Sequence, residues 1–225
     1  MCGRFAINTP VQAMAQLFDA APSNDLPDLP NYNVCPTNAI HVVLGGEKTA
    51  PRLLVSMRWG FIPRWYKKPN DGPLLINARA ETIAQKPAFR LACRERRCLI
   101  PVSGFYEWTS DAKGARCPWY IHSGETLALA GIWQTWETEK ETLRTCAIVT
   151  TSANKKMSKI HPRMPVIVSP EEWGLWLGED GHGAAKIMSA QNKTTIYVHE
   201  VDRAVNSNRA NGPDLIRRVC HKPKD

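Results

Sequence analysis

Apolar residues recur along this chain in two rhythms. Val11, Met14, Leu17 and Phe18 fall at helical spacing behind Thr9-Pro10-Val11-Gln12, which reads as a capping box with proline at the first helical position, and they predict a helix over 10–20. Most other apolar stretches are short and strand-like. Ala39 to Leu44 and Leu53 to Trp59 predict two strands joined by a Gly45-Gly46 turn. Leu74-Leu75-Ile76 predicts a short strand that delivers the polar run Asn77-Ala78-Arg79-Ala80-Glu81 at its end. A basic, partly helical segment follows through Arg97. Cys98 to Val102 is apolar, and Ser103 to Trp108 then alternates, the pattern of a strand with Glu107 between two large aromatics. Further strands are predicted at 119–122, 126–133, 143–151 and 194–201. Ser169-Pro170-Glu171-Glu172 is a second capping box, opening a helix as far as Leu177, and a short helix is predicted at 183–189. Residues 22–33 and 60–73 are rich in proline and polar residues and read as loops. Ile160 to Pro165 reads as a rigid turn, because each proline restricts its own φ and the residue before it. Many short strands, few helices and no βαβ rhythm predict an α+β fold built on antiparallel sheet. With no repeat and no linker, residues 1–225 are expected to form one domain, with 219–225 a flexible basic tail.

Composition narrows the class of partner. Lys and Arg outnumber Asp and Glu by 29 to 21, a net charge of +8. That surplus favours a polyanion, nucleic acid first, with simple solubility as the plainer explanation. No apolar run approaches the roughly 20 residues of a membrane helix, and the start of the chain lacks the regions of a signal peptide. A cytoplasmic, monomeric protein is therefore expected, nucleoid-associated when bound to DNA. The seven cysteines are odd in number and irregularly spaced, and no CxxC occurs, so reduced thiols are expected rather than a disulfide framework or structural zinc.

Chemistry concentrates at a few points. Removal of Met1 would leave Cys2 with a free α-amine and a thiol on adjacent carbons, with ordinary pKa values of about 7.7–8.0 and about 8.5. An aldehyde meeting that pair forms an imine with the amine, and the thiol closes it to a five-membered thiazolidine. Gly3 lets the backbone turn, and Arg4 sets a cationic fork suited to phosphate beside the nucleophile. Four residues alone better describe a frayed terminus with a chance cysteine. Glu107, in a strand between aromatics, is a candidate general acid with a raised pKa, or an edge glutamate facing water. His161, bracketed by Ile160 and Pro162, is a candidate proton shuttle, or a structural histidine in a turn. Asn77 can orient an amine or a sugar hydroxyl, or cap a turn. Arg4, Arg79 and Arg163 neighbour Cys2, Asn77 and His161 in sequence, so if those three meet in space a phosphate-binding surface results. Trp65, Tyr66, Lys67 and Lys68 have the composition of a single-strand platform, or of an exposed loop with a buried tryptophan anchor.

Eight short stretches then occur in a fixed order: Met-Cys-Gly-Arg-Phe at 1–5, Tyr-Asn-Val-Cys-Pro-Thr at 32–37, Arg-Trp-Gly-Phe-Ile-Pro at 58–63, Asn-Ala-Arg-Ala-Glu-Thr at 77–82, Gly-Phe-Tyr-Glu-Trp at 104–108, Ile-Val-Thr-Thr at 148–151, His-Pro-Arg-Met-Pro at 161–165 and Val-Asn-Ser at 205–207. In these the chain resembles the SOS response-associated peptidase (SRAP) family across nearly its whole length. The resemblance implies a compact α+β domain with a curved, barrel-like, largely antiparallel sheet, peripheral short helices and a basic groove. It implies a sensor of abasic sites in single-stranded DNA that traps the ring-opened aldehyde as a thiazolidine on the processed cysteine, here Cys2. Associated abasic-site lyase and methionine-removing activities fit the same chemistry, with no metal or cofactor. The family's asparagine, glutamate and histidine fall on Asn77, Glu107 and His161, its arginines on Arg4, Arg79 and Arg163, and a threonine near the site on Thr150. Tyr66 stands where relatives commonly carry a tryptophan that stacks on DNA, next to Trp65 and Lys67. Two rival functions use the same features: an N-terminal-nucleophile glutamine amidohydrolase, with the freed amine as base and the thiol as nucleophile, and a non-covalent single-stranded DNA-binding protein.

Overall fold

Five strands close on themselves to form the centre of the molecule. In the computed structural model, which describes residues 2–46, 50–189 and 194–219, they are β4 (Ala39–Leu44), β5 (Arg52–Trp59), β7 (Arg97–Val102), β10 (Leu127–Glu137) and β11 (Thr142–Ser152). Antiparallel pairings run β11-β10-β7-β4-β5, and a short parallel seam, Arg58 opposite Thr145 and Trp59 opposite Cys146, joins β5 back to β11. Closure removes the free sheet edges that unpaired strands would present. Both faces of its strands are buried, with Val42 and Ile100 on one side of the wall and Ala130 and Ala147 on the other. Gly131 is one place where size is decisive, since a Cβ there would come within 2.7 Å of the Cys98 sulfur.

Shorter strands flank the barrel. β2 (Ala20–Pro22) extends it beside β5, β6 (Asn77–Arg79) docks parallel to β11, and β12 (Arg163–Pro165) pairs antiparallel with the end of β11. A second antiparallel sheet carries the start of the chain: β1 (Phe5–Ile7), β3 (Asn31–Val34), β8 (Gly104–Ser110), β9 (Arg116–His122) and β13 (Tyr197–Glu200), in the order β13-β9-β8-β1-β3. One face of it, with Phe5 and Phe105, joins the main core. The other packs Tyr106 and Tyr120 under the short 3-10 turns at 203–206 and 213–216. The helices α1 (Val11–Phe18), α2 (Arg90–Glu95), α3 (Trp173–Leu177) and α4 (Ala184–Ser189) are peripheral.

Local rules fail at both predicted capping boxes. α1 starts at Val11 with Pro10 at its N-cap, and the Thr9 hydroxyl shares a 2.6 Å hydrogen bond with the Thr126 hydroxyl instead of capping the helix. The Ser169 hydroxyl donates to Glu172 at 2.7 Å rather than accepting from the backbone, and the first turn there is 3-10 before α3 begins. The loop expected over 22–33 contains the start of β3, and the turn expected at 160–165 runs directly into β12. Both strands are too short and polar to show in a pattern; pairing with β1 and β11 makes them. The tail expected over 219–225 lies outside the described residues except for Val219, whose N–H donates to the Glu200 carbonyl at 3.0 Å. Six described cysteines are free thiols. No helix among the described residues is long and apolar enough to cross a membrane.

Candidate functional site

Cys2 precedes β1 and its side chain is completely buried. The Asn77 side-chain amide donates to the Cys2 carbonyl at 2.9 Å, fixing the residue from the barrel side. Asn77 can do this because β6 runs parallel to β11, with Asn77 opposite Ile148 and Arg79 opposite Thr150. Glu107 arrives from the other sheet. β8 lies beside β1, with the Tyr106 N–H donating to the Arg4 carbonyl at 2.9 Å, and strand alternation sends Glu107 inward and Tyr106 and Trp108 to the opposite face. The aromatic flanks predicted for Glu107 are thus neighbours in sequence that cover the other side of the sheet. Glu107 itself is 3% exposed. Burial, and then the Glu107 charge, push the Cys2 thiol well above its ordinary pKa, so it keeps its proton at neutral pH.

A second cluster forms around the end of β11. Thr150, fully buried, lies between Arg79 on β6 and Pro165 on β12. His161 stands just ahead of β12. The Arg163 N–H donates to His161 Nδ1 at 3.0 Å, so the neutral ring carries its proton on Nε2. The same nitrogen lies 3.1 Å from the Arg163 carbonyl, an acceptor ready for the imidazolium. The Arg163 guanidinium makes a bidentate pair with Glu81 at 2.6 and 2.8 Å and donates to the Thr150 carbonyl at 2.7 Å. That pair holds the Glu81 carboxyl below the usual range.

Arg4 is held differently. Its Nη1 donates to Asn33 Oδ1 at 2.7 Å and to the Val205 carbonyl at 3.1 Å, both neutral acceptors. Asn33, 4% exposed, passes its own amide protons to the carbonyls of Ser207 at 2.9 Å and Ala210 at 2.7 Å. Asn33 and Glu81 escaped prediction although both sit inside quoted motifs, because neither has chemistry of its own; each acts by holding an arginine. Arg79 is exposed on β6.

The loop 60–73 presents Trp65, 59% exposed, with Lys67 and Lys68 also exposed. Tyr66 is half-buried: its hydroxyl packs so closely over Gly72 that no side chain fits there, and its carbonyl accepts from the Trp136 indole at 2.8 Å. Of the two rings, Trp65 is the one open to a base. Among the described residues no cluster of three or more His, Cys, Asp or Glu side chains is arranged to hold a metal ion.

The chain has relatives. The chain is 35% identical to abasic site processing protein YoqW of Bacillus subtilis, covering 96% of this chain and 99% of that one. It is 30% identical to the abasic site processing protein HMCES of Rattus norvegicus, over 96% of this chain and 75% of that one. A solved protein from Bacteroides thetaiotaomicron superposes with a TM-score of 0.83 at 23% identity, covering 97% of this chain and all of the other. A phage-related protein from Bordetella bronchiseptica does so with a TM-score of 0.70 at 27% identity, over 90% of this chain and 95% of its own. The model of the SOS response associated peptidase family matches residues 1–208, and the chain belongs to that family.

Proposed function

We propose that this protein processes abasic sites in single-stranded DNA by capturing them covalently on Cys2. The observation that carries the reading is the convergence of two sheets on one residue: Asn77 on the Cys2 carbonyl from the barrel, and Glu107 beside the Cys2 thiol from the smaller sheet. Relatives named abasic site processing proteins support the substrate.

Hydrolysis of the Met1–Cys2 peptide bond, an autopeptidase step in this reading, frees the amine. His161 assists opening of the deoxyribose hemiacetal, accepting the anomeric hydroxyl proton while the ring oxygen is protonated, which exposes the aldehyde. The Cys2 amine adds to the aldehyde carbon, and loss of water gives the imine, with Glu107 moving the protons. The sulfur then adds to the imine carbon, and the thiol proton passes to nitrogen. A thiol kept protonated until then supplies that proton itself. Loss of the sugar's 2′ proton from the imine, with departure of the 3′ phosphate, would give the associated lyase activity. Arg4 and Arg79 hold the flanking phosphates, Arg163 braces His161 and β12 through its pair with Glu81, and Thr150 lines the approach, while Trp65, Tyr66 and Lys67 form the platform for bases and backbone, together making the basic groove.

Denaturing electrophoresis with single-stranded DNA carrying one abasic site tests this. The wild-type adduct should persist. Cys2→Ala should leave no stable adduct, because an amine alone gives only a hydrolysable imine. An equally stable adduct from Cys2→Ala would rule out the thiazolidine. Ammonia release from glutamine, with no adduct, would favour the amidohydrolase instead.

A further inference from the structure

β8 presents Glu107 to the nucleophile and, one residue on, Trp108 to the opposite face. There the Arg4 guanidinium lies 6.0 Å from the Trp108 ring centroid and the Arg116 guanidinium 4.5 Å from it. The stack is braced: the Trp108 indole N–H donates to Asn206 Oδ1 at 2.6 Å, and Asn206 Nδ2 donates to the Arg116 carbonyl at 3.4 Å. Asn33 and the Val205 carbonyl fix Arg4 beside it. Arg116 is exposed at the start of β9, opposite Ser110. Asp111, in the same hairpin, is taken by Arg203 at 2.9 Å. Among the described residues no carboxylate forms an ion pair with Arg4 or Arg116.

Two like charges against one indole repel each other, and an exposed cation–π contact is only a weak attraction to set against that. An arrangement that keeps both guanidiniums un-neutralised and held in line is suited to successive phosphates. We propose that Arg116, stacked on Trp108 beside Arg4, is a further contact for a backbone phosphate of the bound strand. The proposal rests on the reading that the chain binds single-stranded DNA.

Equilibrium binding of an undamaged single-stranded oligonucleotide across a salt series tests it, with wild type, Arg116→Ala, Arg116→Lys and, as a control for general charge, Lys140→Ala in the β10–β11 hairpin. Loss of one phosphate contact should make the slope of log affinity against log salt shallower by about 0.7 in Arg116→Ala. Arg116→Lys should keep the wild-type slope, and Lys140→Ala should leave it unchanged. A wild-type slope in Arg116→Ala overturns the proposal. So does an equal change in Lys140→Ala, which would mean diffuse charge, or a loss in Arg116→Lys matching that in Arg116→Ala, which would mean the indole stack alone matters. If wild type itself binds without salt dependence, the reading of single-strand binding fails, and the proposal with it.

Discussion

Arg4 and Arg163 stand in two of the chain's most informative motifs, yet the structure treats them oppositely. Arg4 is oriented by a side-chain amide and a backbone carbonyl, which fix its direction and leave its charge intact. Arg163 is locked fork-to-fork on Glu81, with Nη2 also on the Thr150 carbonyl, so its charge is already answered. A phosphate approaching Arg4 meets a net cation; one approaching Arg163 meets an ion pair and must compete with a carboxylate. An arginine in a site is therefore read by what holds it. Neutral acceptors build an anion site, whereas a carboxylate builds a brace that positions the neighbouring β12 and His161.

The largest effect expected from this contrast is on DNA affinity. Charge-assisted hydrogen bonds contribute about 1.5–3 kcal/mol, so Arg4→Ala should weaken single-strand binding about tenfold or more, with a shallower salt slope. Arg163→Ala should change affinity less and instead slow adduct formation through His161. Anisotropy titrations together with adduct time courses separate the two, and equal losses of affinity would break the comparison.

Acid probes the barrel on which both regions stand. His41 on β4 is 2% exposed, and neither ring nitrogen has a hydrogen-bond partner among the described residues. Burial lowers its pKa to about 4. The folded protein therefore keeps His41 neutral while the unfolded chain protonates near pH 6.5. Stability is full above that pH, falls as pH drops below it, and the His41 share of the loss levels off near pH 4, on the order of 3 kcal/mol. His41→Leu should remove that part of the decline in denaturant melts run from pH 7 to 4. An unchanged pH profile would mean that His41 finds a proton acceptor in the fold. Arg163 holds the Glu81 carboxyl below the usual range, so the contrast between the arginines should outlast the charge of an unpaired glutamate as the pH falls.

The smallest effect sharpens the contrast most. Glu81→Gln removes the carboxylate while keeping the shape, and should release Arg163 toward phosphate. Affinity should rise a few-fold and the salt slope steepen by up to about 0.7. No change in slope would mean that Arg163 faces away from the bound strand even when freed.

The strands at 39–44, 53–59, 98–102 and 143–151, and the helix after Pro10, were legible because each carries its own period of apolar residues, which is local information. Cys2 was a candidate nucleophile from the two adjacent reactive groups that loss of Met1 would leave it, and the ordered motifs pointed to the family before any geometry. Other features were not local. β3 and β12 are strands only because β1 and β11 lie beside them. Thr9 gives up its cap for a hydroxyl 117 positions away. Closure of the barrel through a parallel seam of a few residues leaves no pattern in the chain. The site divides the same way. Its residue types were visible in the sequence, but the pairing of Asn77 and Glu107 on Cys2, and the difference between a charged Arg4 and a neutralised Arg163, depend on partners drawn from distant strands. Hydrogen bonds and ion pairs act over about 3 Å, and only the folded backbone decides which groups come that close.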